Sequence, residues 1–225
     1  LHKGLEPKLA FNIMELTRKG KVAKNGFPEG AEEAMREHDV PEWYMDSCRK
    51  IKYMFPKAHA VAYLIAAIRL MWFKVYHPQA FYAVWFTVRG DDIDYEAAVG
   101  GKDVAMRHLK EINARLREER KAKDEDIQVS LQLVNEMLQR GYEFLPICLG
   151  KSRATKYVLE DDKVRLPYAS LKGVGESAAI ALEKAAEQGG YLSVEELQNM
   201  SGVSSAVMET LRQAGALGDL PDSNQ

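Results

Sequence analysis

Apolar positions recur with helical spacing through the first 140 residues or so and lose that spacing afterwards. Pro7 stands at a helix start, Leu9, Ile13 and Leu16 with Met14 supply an apolar face, and Gly20 ends it. Turn chemistry at Gly26-Phe27-Pro28-Glu29-Gly30 leads to a short polar helix over residues 31–38. The next helix follows Val40-Pro41, points Trp43, Tyr44, Cys48 and Ile51 inward, and breaks at Phe55-Pro56. Residues 58–76 are apolar nearly all round, with Ala58, Ala60, Ala62, Ala66 and Ala67 small enough for close packing, which predicts a buried central helix. Past His77-Pro78, residues 78–88 are expected to form a second buried helix, and Asp91 or Asp92 to cap a further one reaching Val99. Residues 104–120 and 127–140 are amphipathic, and Gly141 is a fitting terminator.

After Gly141 the texture changes. Residues 143–149, 156–159 and 163–166 are short β-like runs divided by Gly150 and by Glu160-Asp161-Asp162. Glycine turns then alternate with helices: Gly173-Val174-Gly175 before residues 176–188, Gly189-Gly190 before 193–199, Gly202-Val203 before 204–214. The pattern predicts a mainly α chain, with a helical domain over residues 1–141, a small α+β region with paired glycine hairpins over 142–217, and a polar tail over 218–225.

Charge sharpens this picture. The chain carries a net charge of −2, yet residues 47–90 contain no Asp or Glu and carry +7, leaving −9 for the remainder. Ten of the twenty aromatic side chains fall in the same segment. That combination fits either an anionic partner with planar bases or an aromatic core whose basic residues reach outward. The two cysteines, Cys48 and Cys148, lie far apart with no nearby His or second Cys, which suggests neither a zinc site nor a disulfide framework, and a reduced cytoplasmic setting is expected. Residues 58–73 are interrupted by His59 and Arg69 and fall short of the roughly 20 apolar residues that a bilayer span requires, so no membrane partner is expected. The start, Leu1-His2-Lys3-Gly4-Leu5, has no initiator Met and no signal pattern, and the chain is expected to begin inside a larger protein.

Three constellations carry candidate chemistry. Lys172-Gly173-Val174-Gly175 precedes a helix, so successive backbone amides beside the positive helix end can hold a phosphate; the same spacing also suits an ordinary tight turn. Ser201-Gly202-Val203-Ser204 is a weaker copy in which Ser204 replaces the second glycine, so that Gly202 and Ser204 grip less and scaffold more. Lys57 and His59 open the long apolar helix, where a cation, an imidazole and free amides converge on an anion as they would on a triphosphate, or simply cap the helix. Asp91, Asp92 and Asp94 have the spacing of some magnesium sites, but helix capping explains them better, and no residue is assigned to a metal.

The run Asp39-Val40-Pro41-Glu42-Trp43-Tyr44, then Cys48-Arg49-Lys50-Ile51-Lys52-Tyr53-Met54-Phe55-Pro56-Lys57-Ala58-His59-Ala60, is similar to the fingers of PolC-type DNA polymerase III from low-GC Gram-positive bacteria. The resemblance continues through Phe73-Lys74-Val75, His77-Pro78, Phe86-Thr87-Val88-Arg89 and Asp91-Asp92, and residues 167–175 resemble the tandem helix-hairpin-helix module that ends those polymerases. In the sister DnaE enzymes the motif at Phe55-Pro56-Lys57-Ala58-His59 usually reads Phe-Asn-Lys-Ser-His.

The resemblance implies template-directed DNA synthesis from deoxynucleoside triphosphates, with Mg²⁺ on palm carboxylates upstream of Leu1 and no catalytic residue in this chain. It implies that Lys57 and His59 neutralise the triphosphate, that Phe55 and Tyr53 wall the base, and that Lys172, Gly173, Val174, Gly175, Gly202 and Ser204 meet DNA. Its partners would be primer-template DNA, the rest of the replication complex at the nucleoid, and a sliding clamp reached through a segment cut short at Gln225. The competing expectation is a non-enzymatic helix-hairpin-helix DNA-binding protein.

Overall fold

The structure, a computed structural model, describes residues 3–223. The chain divides into two compact units, Leu1–Arg69 and Leu70–Gln225. The fold is mainly α, as predicted, with one small sheet.

The first unit holds α1 (Pro7–Arg18), α2 (Lys21–Asn25), α3 (Ala31–Glu37), α4 (Glu42–Lys50) and the first part of α5 (Lys57–Tyr76). Pro7 opens α1 as the sequence predicts, and Glu6 caps it by accepting from the Lys8 and Leu9 amides. The turn α2, between Gly20 and Gly26, was not foreseen. Leu5, Ile13, Ala31, Met35 and Met45 form a small core. Cys48 is buried as expected, but Trp43 and Tyr44 depart from expectation: both are exposed, and Met45 joins Cys48 inward instead. Pro41 sits at the N-cap and sets the phase of α4, so the inward pair is i, i+3 from Met45 and the two aromatic rings flank it.

The larger correction concerns α5. It has the predicted extent, but no residue along it is buried, and Leu64, Ile68, Leu70 and Trp72 are each about half exposed or more. An apolar surface running all round a helix needs cover on every side, and the described residues bury no residue of α5, so the composition that signalled burial here marks a largely open surface. With 20 residues this helix is long and apolar enough to cross a membrane by length and composition alone, which corrects the expectation that it falls short. The same test is passed by core helices of soluble proteins.

In the second unit, α6 (Pro78–Arg89) buries only one face, through Tyr82, Ala83 and Phe86, while Val84 and Val88 stay exposed. A 3₁₀ turn (Gly90–Asp92) leads to α7 (Tyr95–Val99), whose cap is Asp94 rather than Asp91 or Asp92, because the Asp94 carboxylate accepts from the Ala97 amide. Helices α8 (Lys102–Glu118) and α9 (Ala122–Gln139) pack along one another as an αα-hairpin. Arg140, just past α9, donates to the Lys74 carbonyl in the last turn of α5 and to the Tyr82 hydroxyl. Tyr82 and Lys74 both donate to Glu136 at 2.8 Å. Burial pushes the Glu136 carboxyl up, but those two donors outweigh it and hold its pKa below the ordinary carboxylate value; Tyr82, chiefly through burial, is pushed up to about 12.

The strands are shorter than predicted: β1 (Phe144–Leu145), β2 (Val158–Glu160) and β3 (Lys163–Arg165). β3 lies centrally, parallel to β1 and antiparallel to β2, with Val164 opposite both Phe144 and Leu159. Asp161 and Asp162 both take positive φ, the conformation a two-residue hairpin needs to match the twist of its strands. A second 3₁₀ turn (Tyr168–Ser170) precedes α10 (Glu176–Gln188), α11 (Val194–Ser201) and α12 (Ser205–Gln213), with α10 bounded as the sequence predicts. One hydrophobic core joins α6 to α12 through Tyr82, Phe86, Val134, Val164, Tyr168, Leu182 and Leu211, and runs on across Gly141. Burying each such side chain contributes about 1.5–3 kcal/mol.

Candidate nucleic-acid interface

In the first unit three of the expected nucleotide-facing residues, Tyr53, Phe55 and His59, come together. After α4 the backbone runs without helix or strand from Ile51 to Pro56 and delivers Tyr53 and Phe55 to solvent. Pro56 fixes the chain for the entry into α5, so Lys57 is its first residue and His59 lies in its first turn. The rings form a row: Tyr53 to Phe55 at 6.3 Å between centroids, Phe55 to His59 at 5.1 Å, and His59 to Tyr63 at 4.5 Å. Lys57 is exposed and stands in the chain between Phe55 and His59. Tyr63 was not singled out from the sequence, although its i, i+4 spacing from His59 on a helix was enough to find it. A row of exposed rings with a cation alongside can stack planar bases and neutralise phosphate.

In the second unit the two glycine hairpins have closely matched backbones. Gly173 has φ +97 and Gly202 φ +66, the left-handed region that glycine reaches without strain. Val174 and Val203 are buried as apolar anchors, and the residues on either side of each are exposed. Gly175 (φ −72, ψ 164) and Ser204 (φ −69, ψ 156) then occupy the N-cap positions of α10 and α12.

At that position the two part. No side chain caps α10, and a Cβ built on Gly175 would meet nothing within 4 Å. The Ser204 hydroxyl caps α12 by accepting from the Val207 amide, and Gln198 reaches over to donate to the Val203 carbonyl and to Ser205. Ahead of the glycine, Lys172 is an exposed cation, whereas the Ser201 hydroxyl turns back to the Leu197 carbonyl. The α10 end therefore has unclaimed amide donors on its positive pole, and the α12 end has spent one of its own on a side chain.

A cavity of about 380 Å³ beside the first hairpin is lined by Val174, Glu176, Tyr157, Thr87 and Asp91, and its two carboxylates make it a poor anion site. Glu183 on α10 accepts from the Ala154 amide at 2.7 Å and from Arg153 at 3.1 Å, tying that helix to the loop before β2. Asp94, from the acidic trio, is engaged with its own helix and stands 2.6 Å from His108 Nδ1. Among the described residues no group of three or more His, Cys, Asp or Glu side chains could hold a metal ion. Gln225, where the clamp segment was expected to be cut, lies outside the described residues.

The family model of the helix-hairpin-helix motif matches residues 141–225. The chain is 44% identical over all of its 225 residues to the DNA polymerase III PolC-type of Caldanaerobacter subterraneus subsp. tengcongensis, and 43% identical to that of Bacillus subtilis. Against the Streptococcus sanguinis protein of the same name the identity is 42%, again across the whole chain. This chain is similar along its full length to PolC-type DNA polymerase III. It spans only 15–16% of the length of those PolC-type relatives. The similarity covers the ring row and both hairpins alike, as the sequence resemblance anticipated.

Proposed function

We propose that this chain works as part of a bacterial replicative DNA polymerase, supplying a nucleotide-facing surface and a grip on duplex DNA. The observation that carries the reading is the unbroken 42–44% identity to PolC-type polymerases, which takes in residues 1–140 as well as the hairpins. A free-standing hairpin protein would have no use for the first 140 residues, which disfavours the non-enzymatic alternative. In this reading residues 1–141 act as fingers, with Lys57 and His59 toward the triphosphate and Phe55 and Tyr53 beside the base. Residues 142–217 act on DNA, with Lys172 and the amides around Gly173, Val174 and Gly175 on a backbone phosphate and the Gly202–Ser204 hairpin in support. Duplex contact of this kind is independent of sequence.

Mg²⁺, a sliding clamp and the remaining replication proteins belong to the same reading. On this reading the metal is assigned to palm carboxylates elsewhere in a longer protein, and this chain by itself is expected to be inactive. The setting is cytoplasmic, at the nucleoid.

The test is Lys57→Ala in a full-length polymerase carrying this segment. Loss of a charge-assisted contact should cost about 1.5–3 kcal/mol, about 10–100-fold, in nucleotide use, while duplex affinity without nucleotide stays unchanged. Lost duplex affinity with an unchanged nucleotide KM would assign Lys57 to DNA instead.

A further inference from the structure

Gly20, buried between α1 and α2, has φ +69, and a Cβ built on it would lie 1.9 Å from the Lys52 carbonyl oxygen and 2.8 Å from its carbon. The obstacle is backbone, which cannot swing aside as a side-chain tip would. A second tie lies next to it: the Met54 amide donates to the Arg18 carbonyl at 2.9 Å. Lys52 and Met54 bracket Tyr53, and Phe55 follows directly, so both contacts fall within the stretch that starts the ring row. The corner that receives them is itself held, because Glu15 pairs with Arg18 at 2.9 Å and with Lys19 at 2.6 Å.

We propose that Gly20 is a positioning residue: its bare Cα seats the Lys52–Met54 backbone and so sets where the Tyr53 and Phe55 rings stand. Residues 51–56 belong to no helix or strand, so their path depends on such contacts. Any side chain at position 20 must lift the Lys52 carbonyl, and a shift of about 1 Å in a substrate-facing group is enough to change turnover. The functional half of the inference rests on reading the ring row as the nucleotide wall.

Gly30 provides the control. Its backbone (φ +72, ψ −4) is close to that of Gly20 (φ +69, ψ 13), but a Cβ there meets nothing within 4 Å. Gly20→Ala and Gly30→Ala therefore share the left-handed backbone cost, and only the buried Gly20 site adds the collision. Amide hydrogen exchange at Met54 should speed up about tenfold or more in Gly20→Ala and stay near the parent rate in Gly30→Ala. In a full-length polymerase carrying the segment, Gly20→Ala should raise the nucleotide KM about tenfold with duplex affinity unchanged. Should Gly20→Ala fail to fold, the unmodified protein still decides the matter. Its Met54 amide should exchange about tenfold or more slowly than those of Tyr53 and Phe55, and equal rates would overturn the seat. Faster Met54 exchange in Gly20→Ala without a KM change would uphold the seat and contradict the nucleotide-wall reading. Unchanged exchange in Gly20→Ala would overturn the proposal itself.

Discussion

The hairpins at Gly173 and Gly202 run on nearly the same backbone, each with a left-handed glycine, a buried valine and an extended N-cap residue before a helix. At the N-cap what separates them is one hydroxymethyl group. Ser204 spends an α12 amide on its own side chain, while Gly175 leaves the α10 end uncapped with Lys172 nearby. An uncapped helix start forgoes stability, since a Ser cap is worth more than Gly, and the first hairpin accepts that cost where the second does not. The difference teaches that a repeat can keep its scaffold while one copy spends on a side chain an amide that the other leaves free.

The largest expected effect comes from capping the first hairpin with a side chain, as the second is capped. Gly175→Asp places a carboxylate over the α10 amides where nothing obstructs it. It should weaken duplex binding by about 1.5–3 kcal/mol, about 10–100-fold, measured by fluorescence anisotropy at fixed salt. The reverse operation acts on the fold. Ser204→Ala should lower stability by about 1 kcal/mol in urea titration while changing duplex affinity less than about twofold.

A smaller effect separates lost stability from lost contact. Glu160 pairs with Arg165, which is buried and also donates to the Pro146 carbonyl at 2.7 Å; Lys151 reaches the same carboxylate at 2.7 Å. Hydrogen bonds from Arg165 and then Lys151 hold the Glu160 pKa down at about 2. A depressed carboxylate stabilises the fold above its unfolded pKa, and that contribution disappears as pH falls through about 2. Glu160→Gln should therefore lower the melting temperature at neutral pH, by less as the pH approaches 2, and leave DNA affinity alone. The smallest effect is a gain: Gly175→Asp should raise stability by roughly a few tenths of a kcal/mol even as it loses DNA, because Asp is the better cap.

Much of this comparison was legible in the residues. The Gly-Val-Gly and Gly-Val-Ser spacings located both hairpins and the start of α10, because turn glycines and N-cap chemistry are local signals. The grouping of Tyr53, Phe55 and His59 was legible for the same reason, Pro56 forcing a helix start between them. Partners distant in sequence were not. Glu136 with Tyr82 and Arg140, or Gly20 beneath Lys52, depend on tertiary packing that no periodicity encodes. The exposure of α5 was misread because a helix apolar on every side has no moment to show which face is covered, and composition alone cannot tell cover from its lack. Trp43 and Tyr44 failed differently, since a large apolar ring was assumed to point inward whatever the helix phase.

The account turns on the claim that the first hairpin alone holds a backbone phosphate. Duplex affinity of this chain, of Gly175→Asp and of Ser204→Ala, measured across a series of salt concentrations, tests it most directly. The slope of log affinity against log salt should fall by about 0.9, one phosphate contact, in Gly175→Asp and remain at the parent value in Ser204→Ala. A single slope shared by all three proteins, or a loss confined to Ser204→Ala, would contradict it.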